Sequence, residues 1–555
     1  MFALPLVAVA AALLVAAAGC DGRPHAATSG EGGGEEGAAG PAFDGGVVDE
    51  IDLTQGEPEL APGSLFGPPR KRSHVDLVRV LRSVASDADA KGVYVRLGGA
   101  SFALARAQEI GALLGAVRKK IPVVCHADDL NNGALYLAAA GCTRVWVSPA
   151  GGVDAVGIAA QLVYARSLFD KLHVGVDFLQ VGKFKGAEEP FTRDGPSPEA
   201  RASLEAALRG LRAAWIQGIA TGRHLDHADE IVEAGPYSPW EAKKNGLIDE
   251  VGYGDDAKDE AKKLAHTEHV AMRFGTSEAA APVPKGLSGV LRALSGSGHA
   301  TGAHVAVLPA VGAITMAPSR SLLGASEGIS EKELGRLVTK VTKDASVKAV
   351  VVRIDSPGGS ALASDLLWKK LMKLREKKPL VFSIGAMAAS GGYYLACTGT
   401  KIVAEPGSIV GSIGVVAGKL AFGPALEQIG VHAETIAAAP GPGKATRAAY
   451  MSPLTAWDDA TRARVLSSMQ AVYDLFLQRV AAGRKLTVDD VAPSAEGRIF
   501  GGVEAKERKL VDELGGFDDA RKLAAKLAGL PPDAPFDVVS DQPNLFELLE
   551  GDGDG

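Results

Sequence analysis

Lys348–Pro406 reads KAVVVRIDSPGGSALASDLLWKKLMKLREKKPLVFSIGAMAASGGYYLACTGTKIVAEP, and Lys91–Pro149 reads KGVYVRLGGASFALARAQEIGALLGAVRKKIPVVCHADDLNNGALYLAAAGCTRVWVSP. The two stretches align without a gap at an offset of 257, matching Arg96 with Arg353, Pro122 with Pro379, Tyr136 with Tyr393 and Pro149 with Pro406. A second block aligns at an offset of 263, Glu241-Ala242-Lys243 with Glu504-Ala505-Lys506 and then Leu247, Asp249, Glu250 and Gly252 with Leu510, Asp512, Glu513 and Gly515. Self-similarity at a fixed offset marks a tandem duplication. Within the second copy, β-branched runs of strand length (His304–Leu308, Ala349–Ile354, Leu380–Ile384) alternate with helical spacing (Leu334, Leu337, Val338, Val341, then Ala361–Leu374). That alternation predicts an α/β fold with a mostly parallel sheet in each half.

Outward from the repeats, 555 residues exceed what one hydrophobic core can organise. A hydrophobic fraction of 46% with 23% charged residues excludes a mostly disordered or polytopic membrane protein. A net charge of −7 gives no electrostatic reason to expect nucleic acid as a partner. Four cysteines are too few for a disulfide framework, and Cys125, Cys142 and Cys397 are expected as separate buried small hydrophobes. Residues 1–20, MFALPLVAVAAALLVAAAGC, form an uncharged apolar run ending in small residues, as in a cleaved export signal. Val15–Cys20 resembles a bacterial lipobox, which makes Cys20 the expected lipidation site, with an uncleaved anchor helix as the alternative; no Lys or Arg precedes the run, so either the free amino terminus serves alone or the true start lies upstream. The expected organisation continues with a Gly/Glu/Ala/Pro-rich tether over 21–73, a first repeat over 74–278, a linker over 279–303, a second repeat over 304–540 and an acidic tail over 541–555.

Two glycine-rich turns follow strands in the second repeat. Asp355-Ser356-Pro357-Gly358-Gly359 can present bare N–H groups, as an oxyanion hole needs, and lacks the Lys-Ser/Thr of a phosphate-binding loop. Ala388-Ala389-Ser390-Gly391-Gly392 puts Ser390 at a helix N-terminus, where a serine is a nucleophile or an N-cap. The first repeat has Gly133 in place of Ser390 and Gly98-Gly99-Ala100-Ser101-Phe102 in place of the first turn, so it carries no nucleophile. Histidine is scarce near either turn, which favours a lysine base whose pKa burial can lower. The candidates are Lys183 and Lys185 of the first repeat and Lys444 of the second.

Met387-Ala388-Ala389-Ser390-Gly391-Gly392-Tyr393-Tyr394, preceded by Asp355–Gly359, resembles the signal peptide peptidase A family of bacterial Ser-Lys membrane-associated proteases, in its long two-repeat form, over roughly residues 75–530. The resemblance implies an α/β fold, a tandem duplication of a Clp-protease/crotonase-like domain, in a bowl-shaped homo-oligomer with a tetramer favoured. It implies degradation of signal peptides and other apolar peptides, without metal or other cofactor. Phe184–Phe191 is similar to the stretch that carries the long form's base, so the implied roles are Ser390 as nucleophile, Lys185 as base and the Gly359 and Gly391 N–H groups as the oxyanion hole. Gly186 departs from that form, which usually has a small hydroxyl residue there, and Lys444 lies in the region from which the single-repeat form takes its lysine. The implied location is the bacterial cell envelope, lipid-anchored at the inner membrane and facing the periplasm. The competing readings are a crotonase-like acyl-CoA enzyme and a non-catalytic lipoprotein scaffold.

Overall fold

The computed structural model describes residues 46–59, 73–275, 302–318 and 328–539. The export signal with Cys20, the tether up to residue 45, the linker up to residue 301 and the acidic tail lie outside the described residues. The first repeat contributes strands β1 (Val47–Asp52), β2 (Ala90–Gly98), β3 (Val123–Ala127), β4 (Arg144–Val147), β5 (Gly175–Val181), β6 (Glu250–Val251) and β7 (Val270–Phe274). All except β5 form one parallel sheet in the order β6-β4-β3-β2-β1-β7.

The second repeat contributes β8 (His304–Val311), β9 (Ile314–Thr315), β10 (Ile329–Ser330), β11 (Val347–Ser356), β12 (Leu380–Ala389), β13 (Lys401–Ala404), β14 (Ile409–Gly411), β15 (Val415–Ala421), β16 (Ile499–Gly501), β17 (Glu513–Leu514) and β18 (Phe536–Val538). Its sheet has the order β16-β14-β12-β11-β8-β18, with β13 and β17 branching from β12 as β4 and β6 extend from β3. Val350, Val351 and Val352 of β11 are wholly buried, the continuous apolar run of a strand covered on both faces. The covering helices start where the sequence supplies caps: Ser330 accepts from the Glu333 N–H and Ser360 from the Ala363 N–H. The expected fold class, a duplicated α/β domain, is the observed one.

Two expectations fail here. Residues 46–59 are not tether: β1 lies between β2 and β7 and corresponds to β8 at the repeat offset. Its acidic sequence, VVDEID, disguised a central strand. Buried Asp49 and Glu50 are tolerated because Arg273 pairs with Asp49 at 2.6 Å and Lys258 with Glu50 at 2.9 Å. Cys125 and Cys142 are buried but not separate; they form a disulfide joining β3 to the end of the helix Asn132–Gly141. The second repeat fills the corresponding space with Phe382, against which a side chain at Gly399 would press at 3.2 Å. Cys397 is free and buried, as expected.

The repeats share a core. Val75 and Val78 of the helix His74–Ser86 pack with Val305, Val307 and Val351 of the second sheet. Beside them lies a buried ion cluster. Arg353 of β11, 2% exposed, binds Glu109 of the helix Leu104–Arg118 at 2.6 and 2.8 Å and Glu59 at 2.8 Å. Glu109 also accepts from the Phe517 N–H at 2.6 Å and lies 3.2 Å from the His74 ring. Burial alone would raise Glu59, but the Arg353 and Arg106 guanidiniums outweigh it and hold the carboxyl at about 2. Glu109 is held well below the ordinary carboxylate range in the same way. Among the described residues, no helix is long and apolar enough to cross a membrane.

Removing one member of this cluster leaves a buried charge short of its partner. Glu109→Ala should therefore destabilise the chain by about 3–5 kcal/mol, read by denaturant melts. Both carboxyls are depressed in the folded state, so their stabilisation is complete above about pH 5, where unfolded glutamates are also ionised. It should be lost as pH falls towards 2, and the variant's pH-stability curve should be flatter than the parent's over that window.

Candidate active site

β12 ends at Ala389, and the chain turns sharply into the short helix Gly391–Ala396. Ser390 makes the turn with φ 54° and ψ −121°, a conformation that costs a non-glycine residue about 1–3 kcal/mol. Its backbone is pinned on both sides, since its N–H donates to Gly411 O at 2.9 Å and its carbonyl accepts from Tyr394 N–H at 2.9 Å. Ser390 occupies the N-cap position, yet its hydroxyl makes no capping bond. Behind it, Tyr393 and Tyr394 are buried and anchor the helix by donating to Leu510 O and the Asp365 carboxylate. The helix is held by those anchors and the serine oxygen is left over.

The Gly358-Gly359 turn lies directly against Ser390. A Cβ on Gly358, which has φ 104°, would stand 2.7 Å from Gly391 N and 2.8 Å from Ser390 Cβ, so only glycine allows the approach. A Cβ on Gly391 would stand 3.2 Å from Gly359 N. The turn is fixed by the Ile314 N–H donating to Gly358 O and the Ser360 N–H to Ile314 O, a pattern that does not use the Gly359 N–H. Asp355, raised by burial, accepts from the Ala386 and Met387 N–H groups and ties this strand end to the segment leading into Ser390.

Lys185 arrives from the other repeat. β5 of the first repeat pairs antiparallel with β15 of the second, Val181 opposite Val415, and the chain then turns at Gly182 to Lys185. The second repeat closes over that turn: Phe184 N–H donates to Glu496 O, and Gly497, φ 86°, passes so close that its Cβ would lie 2.5 Å from the Lys185 backbone. Lys185 is 4% exposed. Its amine donates to Ser412 Oγ at 2.8 Å and to Ser412 O at 2.9 Å. Burial lowers the amine to about 7, with Glu188 opposing. Glu188 is itself raised to about 7 by burial. The Gln180 amide, with its nitrogen turned towards them, donates to the Glu188 carboxylate and to Lys185 O.

One dipeptide therefore joins the two groups, because Gly411 holds the Ser390 N–H and the adjacent Ser412 holds the Lys185 amine. Ser390, Lys185, Gly359 and Gly391 are brought together. Lys183 is not, since it is exposed and lies 3.5 Å from Glu496. Lys444 is exposed at the start of the helix Lys444–Ala448, outside these contacts. Ser412 was missed by the sequence reading, although a signal existed: at the repeat offset, Ala155 stands in its place, just as Gly133 stands for Ser390. Gly186 has no room for a hydroxyl residue, since a Cβ there would lie 2.9 Å from Ala200 Cβ; Ser412 supplies the hydroxyl beside the lysine. The first repeat cannot regain a serine at 133, where a Cβ would lie 2.0 Å from Phe102 O, and Asn131 caps that helix instead.

The model of Peptidase family S49 matches residues 115–268 and 372–531, more than half of the chain. The chain is 28% identical over 480 residues to the chloroplastic serine protease SPPA of Arabidopsis thaliana, covering 84% of this chain and 68% of that protein. It is 30% identical over 500 residues to Protease 4 of Salmonella typhi, covering 86% and 76%, and 28% identical over 483 residues to Protease 4 of Haemophilus influenzae, covering 83% and 74%.

Among the described residues, the Glu188 carboxylate is the charge that holds the Lys185 amine up against burial. Glu188→Gln should move the titration midpoint of Lys185 further below 7, measured by NMR on the chain labelled at lysine Cε. A midpoint that rises would contradict the geometry.

Proposed function

The chain belongs to peptidase family S49 and is a serine protease, and we propose that it hydrolyses apolar peptides, signal peptides among them, with Ser390 as nucleophile and Lys185 as general base. The observation that carries the dyad is the Gly411-Ser412 bridge between Ser390 and Lys185, supported by a lysine amine lowered to about 7 by burial. Neutral Lys185 takes the Ser390 proton as Oγ attacks the peptide carbonyl. The Gly359 and Gly391 N–H groups receive the developing oxyanion. The protonated lysine gives its proton to the leaving amine, and water then releases the acyl group by the reverse sequence. Ser412 keeps the amine oriented in both protonation states, because its hydroxyl and carbonyl accept from it.

The protein works outside the cytoplasm, attached through lipid on Cys20, at a membrane that holds the peptides it degrades. The Cys125–Cys142 disulfide supports this compartment, since disulfides persist in oxidising surroundings. The self-associated form, a tetramer by family resemblance, confines the site; nucleic acid has no part in it.

The dyad is tested on apolar fluorogenic peptides. Ser390→Ala and Lys185→Ala should each lower kcat by at least about 10³-fold, and the double variant no further, because the two groups act as a unit. Lys444→Ala should keep most of the activity. The reverse pattern, an active Lys185→Ala beside a dead Lys444→Ala, refutes the cross-repeat dyad. Because the base works neutral, kcat/KM should rise with pH through about 7 and level off above it.

A further inference from the structure

The helices Glu331–Lys343 and Ala361–Arg375 lie side by side on one face of the second sheet. Leu337 and Val341 of the first and Leu367 and Leu371 of the second are buried in one core with Val350 and Val352, and Lys370 ties the pair by binding Glu331 at 2.7 Å. Because both helices bury their apolar stripe in the same sheet, their opposite stripes face outward together. The outward stripe of the first carries Lys332, Lys340 and Lys343; that of the second carries Leu362, Leu366, Lys369 and Lys373, and all seven are exposed. The two helices hold eight lysines and arginines against three acids, in a chain whose net charge is −7. Two of those acids are engaged elsewhere, Glu331 by Lys370 and Asp365 by Arg479 at 2.8 Å, and the third, Glu333, is half-buried. Among the described residues, none of the five outward lysines has a carboxylate within ion-pair distance.

The first repeat shows what the same face looks like when protein covers it. At the offset of 257, its helices His74–Ser86 and Leu104–Arg118 correspond to these two. There Val75, equivalent to Lys332, packs with Val305 and Val307 of the second repeat, and Glu109, equivalent to Leu366, enters the Arg353 cluster. Ala112, Leu113 and Ala116 stand where the second repeat has Lys369, Lys370 and Lys373. The second repeat has no further repeat to cover its copy of the face, and the face has changed from apolar to basic. A cationic helix surface with a few exposed leucines, its long lysine stems able to lie along an apolar boundary, matches the interface between water and anionic lipid. Ser360, which caps the second helix, follows Gly359 directly, so Leu362 and Leu366 lie close to the oxyanion turn.

We propose that this two-helix face docks the enzyme on an anionic lipid surface, the lysines pairing with headgroup phosphates while Leu362 and Leu366 enter the interfacial layer beside the active site. This goes beyond the protease reading and needs neither the dyad nor lipid on Cys20. An anchor at Cys20 would hold the body near a membrane without choosing which side of it meets the lipid. The basic face makes that choice, and it sets the serine turn at the level where apolar peptides leave the bilayer.

The test is lysine footprinting of the full chain bound to preformed vesicles, either phosphatidylcholine alone or phosphatidylcholine with about one-third phosphatidylglycerol. A brief acetylation pulse is read residue by residue by mass spectrometry. Lys332, Lys340, Lys343, Lys369 and Lys373 should react about fivefold more slowly on the anionic vesicles, and high salt should remove the difference. Lys244 and Lys263, exposed on the first repeat, should react equally on both. The joint variant Lys369→Glu, Lys373→Glu should lose the protection of Lys332, Lys340 and Lys343; Lys332→Glu, Lys340→Glu should do the same for Lys369 and Lys373, and melts coincident with the parent's report that both are folded. Equal rates on the two kinds of vesicle overturn the proposal, as does protection that survives charge reversal or extends equally to Lys244 and Lys263. Protection already present without vesicles overturns it in favour of a second copy of the chain as the occupant. The protease reading stands or falls separately, on peptide turnover by the parent chain against Ser390→Ala.

Discussion

A lysine amine cannot stay neutral near pH 7 in water; it must be taken out of water. Neither repeat does this alone. The first supplies Lys185 at the end of a strand that its own sheet does not use, and the second supplies the covering surface through β15, Glu496, Gly497 and Ser412. The cross-repeat pairing of β5 with β15 is therefore the constraint on which the rest depends. If the repeats separated, the amine would regain its hydration and its charge. The serine, by contrast, is held wholly by its own repeat, in a turn whose strain is met by the bonds to Gly411 and Tyr394 and by the buried helix behind it.

The docking that buries Lys185 is maintained at a distance by the core around Val75 and Val78 and by the ion cluster around Arg353. These two parts do different physical work. The valines contribute non-directional burial, about 25 cal/mol for each Å² removed from water. The cluster contributes little net energy over an apolar core but strongly penalises any arrangement that leaves one of its charges unpaired. Arg353 therefore sets how the two sheets sit against each other, and β11, which carries it, continues directly into the Gly358-Gly359 turn.

The two repeats have divided the work. The equivalent of Arg353 in the first repeat, Arg96, pairs with Asp52 in the exposed manner of an ordinary surface bridge. The position of Ser390 is Gly133, closed off by Phe102 O, and the position of Ser412 is Ala155. The first repeat lost the serine side of the site and kept a lysine-bearing loop; the second kept the serine and both glycine turns. Each half is thus incomplete in a complementary way, and a duplicated chain tolerates this because each half still buries its own parallel sheet.

The sequence by itself determined the duplication, the α/β class, the two glycine turns and Ser390, because these depend on local pattern: strand and helix periodicities, glycine where the backbone approaches closely, and one copy set against the other. It left three lysines as candidates for the base, because burial is not local and Lys183 and Lys185 differ by two residues in the same apolar-flanked loop. Only the tertiary structure separated them, by covering Lys185 and leaving Lys183 and Lys444 in water. The same reason explains the other differences. β1 is legible as a strand only once Arg273 and Lys258 are seen to pair with its buried acids, and Cys125 meets Cys142 only after the helix between them folds back onto β3. What the chain does within a few residues was written in its sequence. What depended on two remote segments leaving water together was decided by the fold.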